Sequence, residues 1–385
     1  MAHEKRNLAA ALEVRSARAA CTGGVSIALP GEYVASSASS LATTLDGDDA
    51  NFRRDCASAG GSPIGPARSL PVTRAVSLPN EELIHVSCPL CESRDERFLM
   101  HACDRLFGRP GWYRIVHCGA CGMKYLNPRP SEEALSLHYP DDYLPVRVPD
   151  QMPPLTRRLM SALLDLRWLA SIFEIERVIG RIPAEAQVVD VGCGVTGMLA
   201  RLQRFRSCPG LAVDVNAGVV AHVRALGTPA FHGTLLQAHL RAESVDLVTM
   251  NEYLEHEPDP SSVLREARRI SRPGAHLVVE VPCMDSPVSR AFGSCWSQLD
   301  VPRHLAFYTP DTLRRMLVQC GYRPLHVRQF GVPFSIGISL MQCLGFKKLG
   351  RMGAVEALLL ALANVPFLPF FPWLREFMLV VAQAE

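Results

Sequence analysis

From residue 187 onward the chain alternates between short apolar blocks and segments whose apolar residues recur every three or four positions. Apolar runs of four to eight residues bounded by turn formers read as buried strands, and the segments between them read as amphipathic helices. "QVVDVG" starts the series and "GMLARLQRF" opens the first helix, and "GLAVDV" with "AGVVAHVRAL" repeats the unit. "VDLVTM" (245–250), "AHLVVEVP", "LHVRQF" and "FMLVVAQA" supply further strands. "PDPSSVLREARRISRPG" predicts a helix opened by Pro and Ser and stopped by Pro-Gly. In "TPDTLRRMLVQCGY", Thr309 is the expected N-cap, Pro310 the first helical residue and Gly321 the stop. This rhythm predicts an α/β sheet with helices on both faces.

The pattern is different upstream. Residues 1–80 are rich in Ala, Ser, Gly and Arg with no sustained period, which predicts a disordered leader. Residues 85–130 hold two CxxC pairs and end in the helix-forbidding "NPRP". An apolar-periodic stretch at 155–182 predicts one or two helices, so 131–186 reads as a helical linker into a main domain at 187–385. Two uncharged runs, 329–346 and 357–374, approach membrane-spanning length. Pro366, Pro369 and Pro372 break the second run, and a strand follows it directly. Residues 331–375 are therefore expected as an apolar insertion between the last two strands.

Composition narrows the class. The 385 residues carry 40 Lys+Arg against 38 Asp+Glu, a net charge of +2. That balance has no concentrated basic face, so no nucleic-acid partner is expected. Hydrophobic content of 48% with 20% charged residues fits a globular protein. Thirteen cysteines, an odd number dominated by Cys88/Cys91 and Cys118/Cys121, fit a metal site in a reducing cytoplasm rather than a disulfide framework. The N-terminus has no continuous apolar core of a secretory signal.

"VVDVGCGVTGML" (188–199) matches GxGxxG after an apolar strand. Gly192 and Gly194 let the backbone approach a ligand, which suits a dinucleotide or S-adenosylmethionine equally. Asp190 separates the two: a carboxylate there repels a pyrophosphate but suits an ammonium group. Asp214, ending the second strand, is placed for ribose hydroxyls. Over residues 187–330, with the strand at 377–384, the chain resembles the class I S-adenosylmethionine-dependent methyltransferases. "VVDVGCGVTG", "LAVDV" and "VDLVTMNEYLEHEPDPSSVLREARRISRPGAHLVVEVP" carry the likeness. It implies a Rossmann-like seven-stranded sheet with helices on both faces. It also implies a cofactor site of Asp190, Gly192, Cys193, Gly194, Asp214 and Val215, with Asn251 and Glu252 flanking the methionine part. Where relatives often place an adenine-binding Asp, this chain has Thr234. A non-catalytic cofactor-binding partner protein is the alternative that this departure supports.

The two CxxC pairs, some 26 residues apart, predict a closed, structural four-thiolate zinc ribbon at Cys88, Cys91, Cys118 and Cys121. Such a ribbon followed by "EEALSLHYPDDY" resembles the front of bacterial methyltransferases of sugar and surface-polysaccharide pathways. Zinc-ribbon RNA methylation is a further alternative, against which the near-neutral charge weighs.

Two stretches offer acceptor chemistry. "NEYLEHEPDP" brings Glu252, Glu255 and His256 together; relatives hold magnesium on similar clusters, but here the cluster is read first as loop-shaping. "WSQLDVPRHLAFYT" resembles a signature of the polysaccharide-associated branch, with Tyr308 in place of a Phe. The resemblance puts Trp296, Asp300, Arg303 and His304 over the acceptor. His304 is then a base oriented by Asp300, and Arg303 grips an anionic group of a sugar-nucleotide. In the competing reading Asp300 and Arg303 pair to pin the loop. The expectation is methyl transfer to a small molecule or glycan, oxygen first, then carbon or nitrogen. The apolar insertion is expected to be an acceptor-site wall or dimer face, with peripheral contact at the inner membrane face as the alternative.

Overall fold

A computed structural model of the chain describes residues 81–139, 154–195, 197–331, 335–345 and 374–385. The expected leader at 1–80 and most of the apolar insertion lie outside these residues. Five short strands come first: β1 (Leu83–Ile84), β2 (Glu96–Ala102), β3 (Tyr113–Cys118), β4 (Lys124–Leu126) and β5 (Arg129–Pro130). Helix α1 (Glu132–Leu135) and the 26-residue helix α2 (Pro154–Ile179) follow. The alternating part then runs β6 (Val188–Val191), α3 (Met198–Arg206), β7 (Gly210–Asp214), α4 (Ala217–Ala225), β8 (Ala230–His232) and β9 (Val245–Asn251). It continues through α5 (Pro260–Ile270), β10 (Ser271–Pro282), α6 (Pro287–Phe292), β11 (Ala306–Phe307), α7 (Pro310–Gln319), β12 (Tyr322–Phe330), α8 (Ser335–Cys343) and β13 (Phe377–Ala384).

Seven strands form one sheet in the order β12-β13-β10-β9-β6-β7-β8. The pairs within β10-β9-β6-β7-β8 are parallel, and β13 runs antiparallel to both β10 and β12. This is the seven-stranded architecture that the family resemblance implied, and it carries the α/β alternation that the strand rhythm predicted. β6 is buried at all four positions because helices cover both faces of a parallel sheet. On one face Trp168, Ile172 and Ile175 of α2 pack with Met198, Leu199 and Leu202 of α3. On the other, Val263, Leu264, Ala267 and Ile270 of α5 pack with Leu313, Met316 and Leu317 of α7.

Local chemistry fixes the helix starts. Thr309 and Thr312 form a reciprocal capping box with Pro310 at the first helical position, as the sequence predicts, and Gly321 takes φ +82° after the helix. The cap of α5 is Asp259, one residue before Pro260, accepting from Ser262 N at 3.0 Å.

The expected domain division changes in two places. The stretch 131–186 is not simply a linker, because α2 supplies a buried layer of the sheet's own core. Nor is the cysteine segment a separate module. β1 pairs with β5, and the four-stranded sheet β11-β4-β3-β2 draws its fourth strand from the "PRHLAF" segment nearly two hundred residues away. Sequence periodicity cannot see a two-residue strand whose partner is remote. Among the described residues no helix is long and apolar enough to cross a membrane.

Candidate active site

The glycine loop follows β6, where the carboxyl ends of the central strands meet. Gly192 has φ +65°, and a Cβ on it would lie 2.3 Å from Cδ2 of Tyr253, close to the ring's attachment point. Both the left-handed backbone and the overlying ring demand glycine. Gly192→Ala is expected to cost about 1–3 kcal/mol of stability and to abolish binding in the cleft. Thermal melts and S-adenosylhomocysteine titration check both, and a variant binding like wild type would refute the close approach.

Asp190 does not face the cleft as expected. Its carboxylate is 1% exposed, accepting from Leu199 N at 3.0 Å and from Thr249 Oγ1 at 2.6 Å. Burial pushes it up to about 6. It ties the loop to the first turn of α3 and the neighbouring strand, and both oxygens are engaged within the protein. Asp214 accepts from Gly194 N at 3.0 Å and from Asn216 N at 2.8 Å while remaining partly exposed, and burial raises it. Cys193 is buried behind it, its thiol 4.0 Å from Asp214 Oδ2. Val215 is 65% exposed, an open apolar face beside Asp214. Thr234 is committed to a local cap: its hydroxyl accepts from Gln237 N at 3.3 Å, and its own N–H donates to Gln237 Oε1 at 2.9 Å. Nearby, His232 reaches the Val215 carbonyl at 3.0 Å, a neighbour the sequence reading missed.

The loops after β9 and β10 bring the acceptor candidates together. Glu255, His256 and His304 present ligand atoms all within 4.8 Å of one another. Glu252 stands apart: it is paired with Arg167 of α2 at 3.2 Å, so His304 takes its place in the expected Glu252/Glu255/His256 cluster. Glu255 is 1% exposed, and neither carboxylate oxygen has a hydrogen-bond partner. Burial raises its carboxyl well above the usual range. His256 and His304 rings meet edge to face with centroids 4.5 Å apart. His256 Nδ1 lies 3.1 Å from the Arg303 carbonyl, and His304 Nδ1 lies 2.9 Å from the Gln298 carbonyl. A carbonyl only accepts, so His304 Nδ1 carries the proton and its Nε2 keeps its lone pair, whereas His256 Nδ1 is shared between the Arg303 carbonyl and the Tyr139 hydroxyl, each at 3.1 Å. Burial pushes His256 down to about 3 and also lowers His304, so both rings stay neutral.

Arg303 takes the pinning role rather than the gripping one. It is fully buried, donating to Asp300 at 2.6 and 3.0 Å, to Asp104 of the cysteine segment at 2.9 and 3.1 Å, and to the His138 carbonyl at 3.2 Å. The Phe107 ring lies 5.0 Å from the guanidinium carbon. Asp300 thus binds Arg303, and the bond that orients His304 comes from Gln298. Trp296 is a core residue, its Nε1 donating to the buried Glu376 at 3.0 Å. No sequence motif pointed to Asp104 or Glu376, because their roles arise from contacts across 199 and 80 residues.

The four cysteines gather, with Cys88 Sγ 3.4 Å from Cys121 Sγ and Cys91 Sγ 3.5 Å from Cys118 Sγ. Tetrahedral zinc with Zn–S near 2.3 Å sets sulfur–sulfur edges of about 3.8 Å, so the donor set and size fit that ion. Each turn is closed by a backbone bond, Glu92 N to Cys88 O and Gly122 N to Cys118 O, both 2.9 Å.

Residues 167–327 match the family described as "Methyltransferase domain". Among curated relatives, a ubiquinone biosynthesis O-methyltransferase of Hahella chejuensis is 35% identical over 98 residues, 24% of this chain and 41% of that protein. The protein of the same description from Aliivibrio fischeri is 35% identical over 173 residues, 39% of this chain and 72% of that one. The chain thus spans well under half of the first relative and most of the second. Among solved structures, a SAM-dependent methyltransferase from Archaeoglobus fulgidus is 17% identical with a TM-score of 0.40, covering 57% of this chain and 94% of that one. This chain belongs to the methyltransferase-domain family.

Proposed function

We propose that the protein transfers a methyl group from S-adenosylmethionine to an oxygen of a small-molecule or glycan acceptor in the cytoplasm. The observation that carries this reading is the neutral pair His256–His304 beside Glu255, held at the same sheet edge as the glycine loop, with the His304 Nε2 lone pair available. In the cofactor cleft Gly192 and Gly194 admit the ligand backbone-close, Asp214 meets the ribose and Val215 offers an apolar face to adenine. Bound there, S-adenosylmethionine supplies an electrophilic methyl on a sulfonium. His304 Nε2 takes the acceptor hydroxyl's proton as oxygen attacks that methyl and the C–S bond breaks, and the Gln298 carbonyl stabilises the resulting imidazolium through Nδ1–H. The 35% identity to proteins described as O-methyltransferases supports oxygen over carbon or nitrogen. The four-cysteine site is read as structural zinc, closed to water.

A second reading of the same residues is favoured by the two unpartnered Glu255 oxygens. Glu255, His256 and His304 would hold a divalent cation, with each Nδ1 beside a backbone carbonyl, the outer partner that metal-bound imidazoles take. His304 would then be a ligand rather than a base. Two imidazoles and one carboxylate suit a transition ion more than magnesium.

Calorimetric titration with S-adenosylhomocysteine and NADH, followed by an acceptor screen with and without chelator, tests the proposal. S-adenosylhomocysteine binding with turnover on hydroxyl acceptors is expected. NADH binding alone would overturn the cofactor, and binding without turnover on any acceptor would favour a partner-protein role. Salt-sensitive RNA binding would favour RNA as acceptor. Turnover lost on chelation and restored by a divalent ion would select the cation reading.

A further inference from the structure

The direction of the His304 ring depends on one backbone carbonyl. Gln298 O lies 2.9 Å from His304 Nδ1 and belongs to the single 3₁₀ turn Ser297–Leu299. One such turn has poor hydrogen-bond geometry of its own, so whatever anchors it decides where the carbonyl points. The anchors come from near the two ends of the expected apolar insertion. Glu376, immediately before β13, is fully buried, and its Oε1 accepts from Trp296 Nε1 at 3.0 Å and from Ser335 Oγ at 2.6 Å. Ser335 Oγ lies 2.9 Å from Ser297 Oγ. Ser339 Oγ accepts from Ser297 N at 3.0 Å and donates to the Ser335 carbonyl at 2.8 Å. Three side chains thus grip Trp296 and Ser297, the two residues directly before Gln298. Arg105 closes the same corner, donating to the carbonyls of Ser294 at 3.1 Å and Gln342 at 3.3 Å. Glu376 Oε2 has no partner, and among the described residues no cation pairs with this carboxyl. A buried carboxyl without a counter-ion costs stability, so its place at the catalytic edge of the sheet calls for a role beyond packing.

We propose that Glu376 is a positioning residue for methyl transfer: through Trp296 and Ser335 it fixes the turn whose Gln298 carbonyl sets the tautomer and direction of the His304 ring. The proposal rests on His304 acting at the acceptor, as base or as ligand, and names what holds it there. With its proton on Nδ1 bonded to Gln298, the ring keeps on Nε2 the lone pair that either role requires. Positioning asks only for an acceptor at Oε1. Glu376→Gln supplies one with the same shape, its amide nitrogen taking the place of the unpartnered Oε2. Glu376→Ala leaves Trp296 Nε1 and Ser335 Oγ without their acceptor and frees the turn.

The test reads the tautomer of His304 by nitrogen-15 NMR on the full chain labelled at histidine, with the ring assigned by its loss in His304→Ala. Wild type should show a neutral ring protonated at Nδ1. Glu376→Ala should show a mixture of tautomers and lose turnover by about tenfold or more. Its S-adenosylhomocysteine affinity should stay within about threefold, which certifies the fold. Glu376→Gln should restore both the tautomer and turnover. Ser335→Ala, which cuts the link to Ser297 and spares the Trp296 bond, should shift the tautomer in the same direction and carries the test where Glu376→Ala does not fold. A ring still protonated at Nδ1 in both alanine variants would overturn the positioning role. So would a Glu376→Gln variant as impaired as Glu376→Ala. A mixed tautomer with wild-type turnover would overturn instead the role of His304 on which the proposal rests.

Discussion

His304→Ala is expected to lower turnover by about 10²- to 10⁴-fold, the usual range for losing a positioned base, while S-adenosylhomocysteine affinity stays within about threefold. The separation follows from location. His304 sits on the turn after Asp300, bonded to Gln298 and facing His256, whereas the cleft is built by the loop at 192–194 and by Asp214. The pH profile carries further information. Burial holds both rings neutral, with His256 near 3 and His304 below its ordinary 6.5. A base with a lowered pKa is competent above that value and loses competence as pH falls through it. The acid limb of turnover should therefore lie below pH 6.5, with a plateau through neutrality. Glu255→Gln divides the two roles: it should leave a simple base largely active but abolish a cation site. Wild-type turnover in His304→Ala would remove His304 from the chemistry under either reading.

Much of the fold was legible because it is periodic. Apolar blocks, Pro at helix starts and glycine stops gave the strands and helices of the seven-stranded sheet nearly as they stand. The cysteine spacing correctly indicated that four thiols would meet, since a CxxC turn is a local property. Asp190, Arg303 and Thr234 were read less well, for one shared reason. Sequence gives a polar residue's place at a strand end or in a loop, not the partner that engages it. Thr249 lies 59 positions from Asp190, and Asp104 lies 199 from Arg303. Glu376 went unnoticed because a lone Glu before an apolar strand carries no motif. The competing reading of "LDVPRH", in which Asp300 and Arg303 pin the loop, matches the observed bonds.

Cys88→Ser should have the largest structural effect and a selective functional one. Four-thiolate zinc contributes apparent binding energy of about 10–16 kcal/mol, comparable with the whole stability of a typical domain, about 5–15 kcal/mol. Losing the ion should therefore melt the cysteine segment rather than merely loosen it. That segment is wired to the acceptor loops at several points. β4 pairs with β11, Leu126 N donates to Leu305 O at 2.9 Å, and Lys124 bonds Asp285 at 2.7 Å. Arg129 donates to the Pro258 carbonyl at 2.9 Å, and Asp104 holds Arg303. On the other face of the sheet, the layer of α2 and α3 packs without the four cysteines of the metal site. The expected result is loss of bound zinc by atomic absorption and fast hydrogen exchange at Phe307, opposite Lys124 in the β4–β11 pair. Turnover should fall by about 10²-fold or more, because the misplaced His256–His304 pair no longer aligns the acceptor, while S-adenosylhomocysteine binding falls much less. Retained exchange protection at Phe307 in the zinc-free variant would show that the ribbon and the acceptor loop are energetically independent. Equal loss of cofactor binding would show instead that the two helical layers of the sheet unfold as one unit.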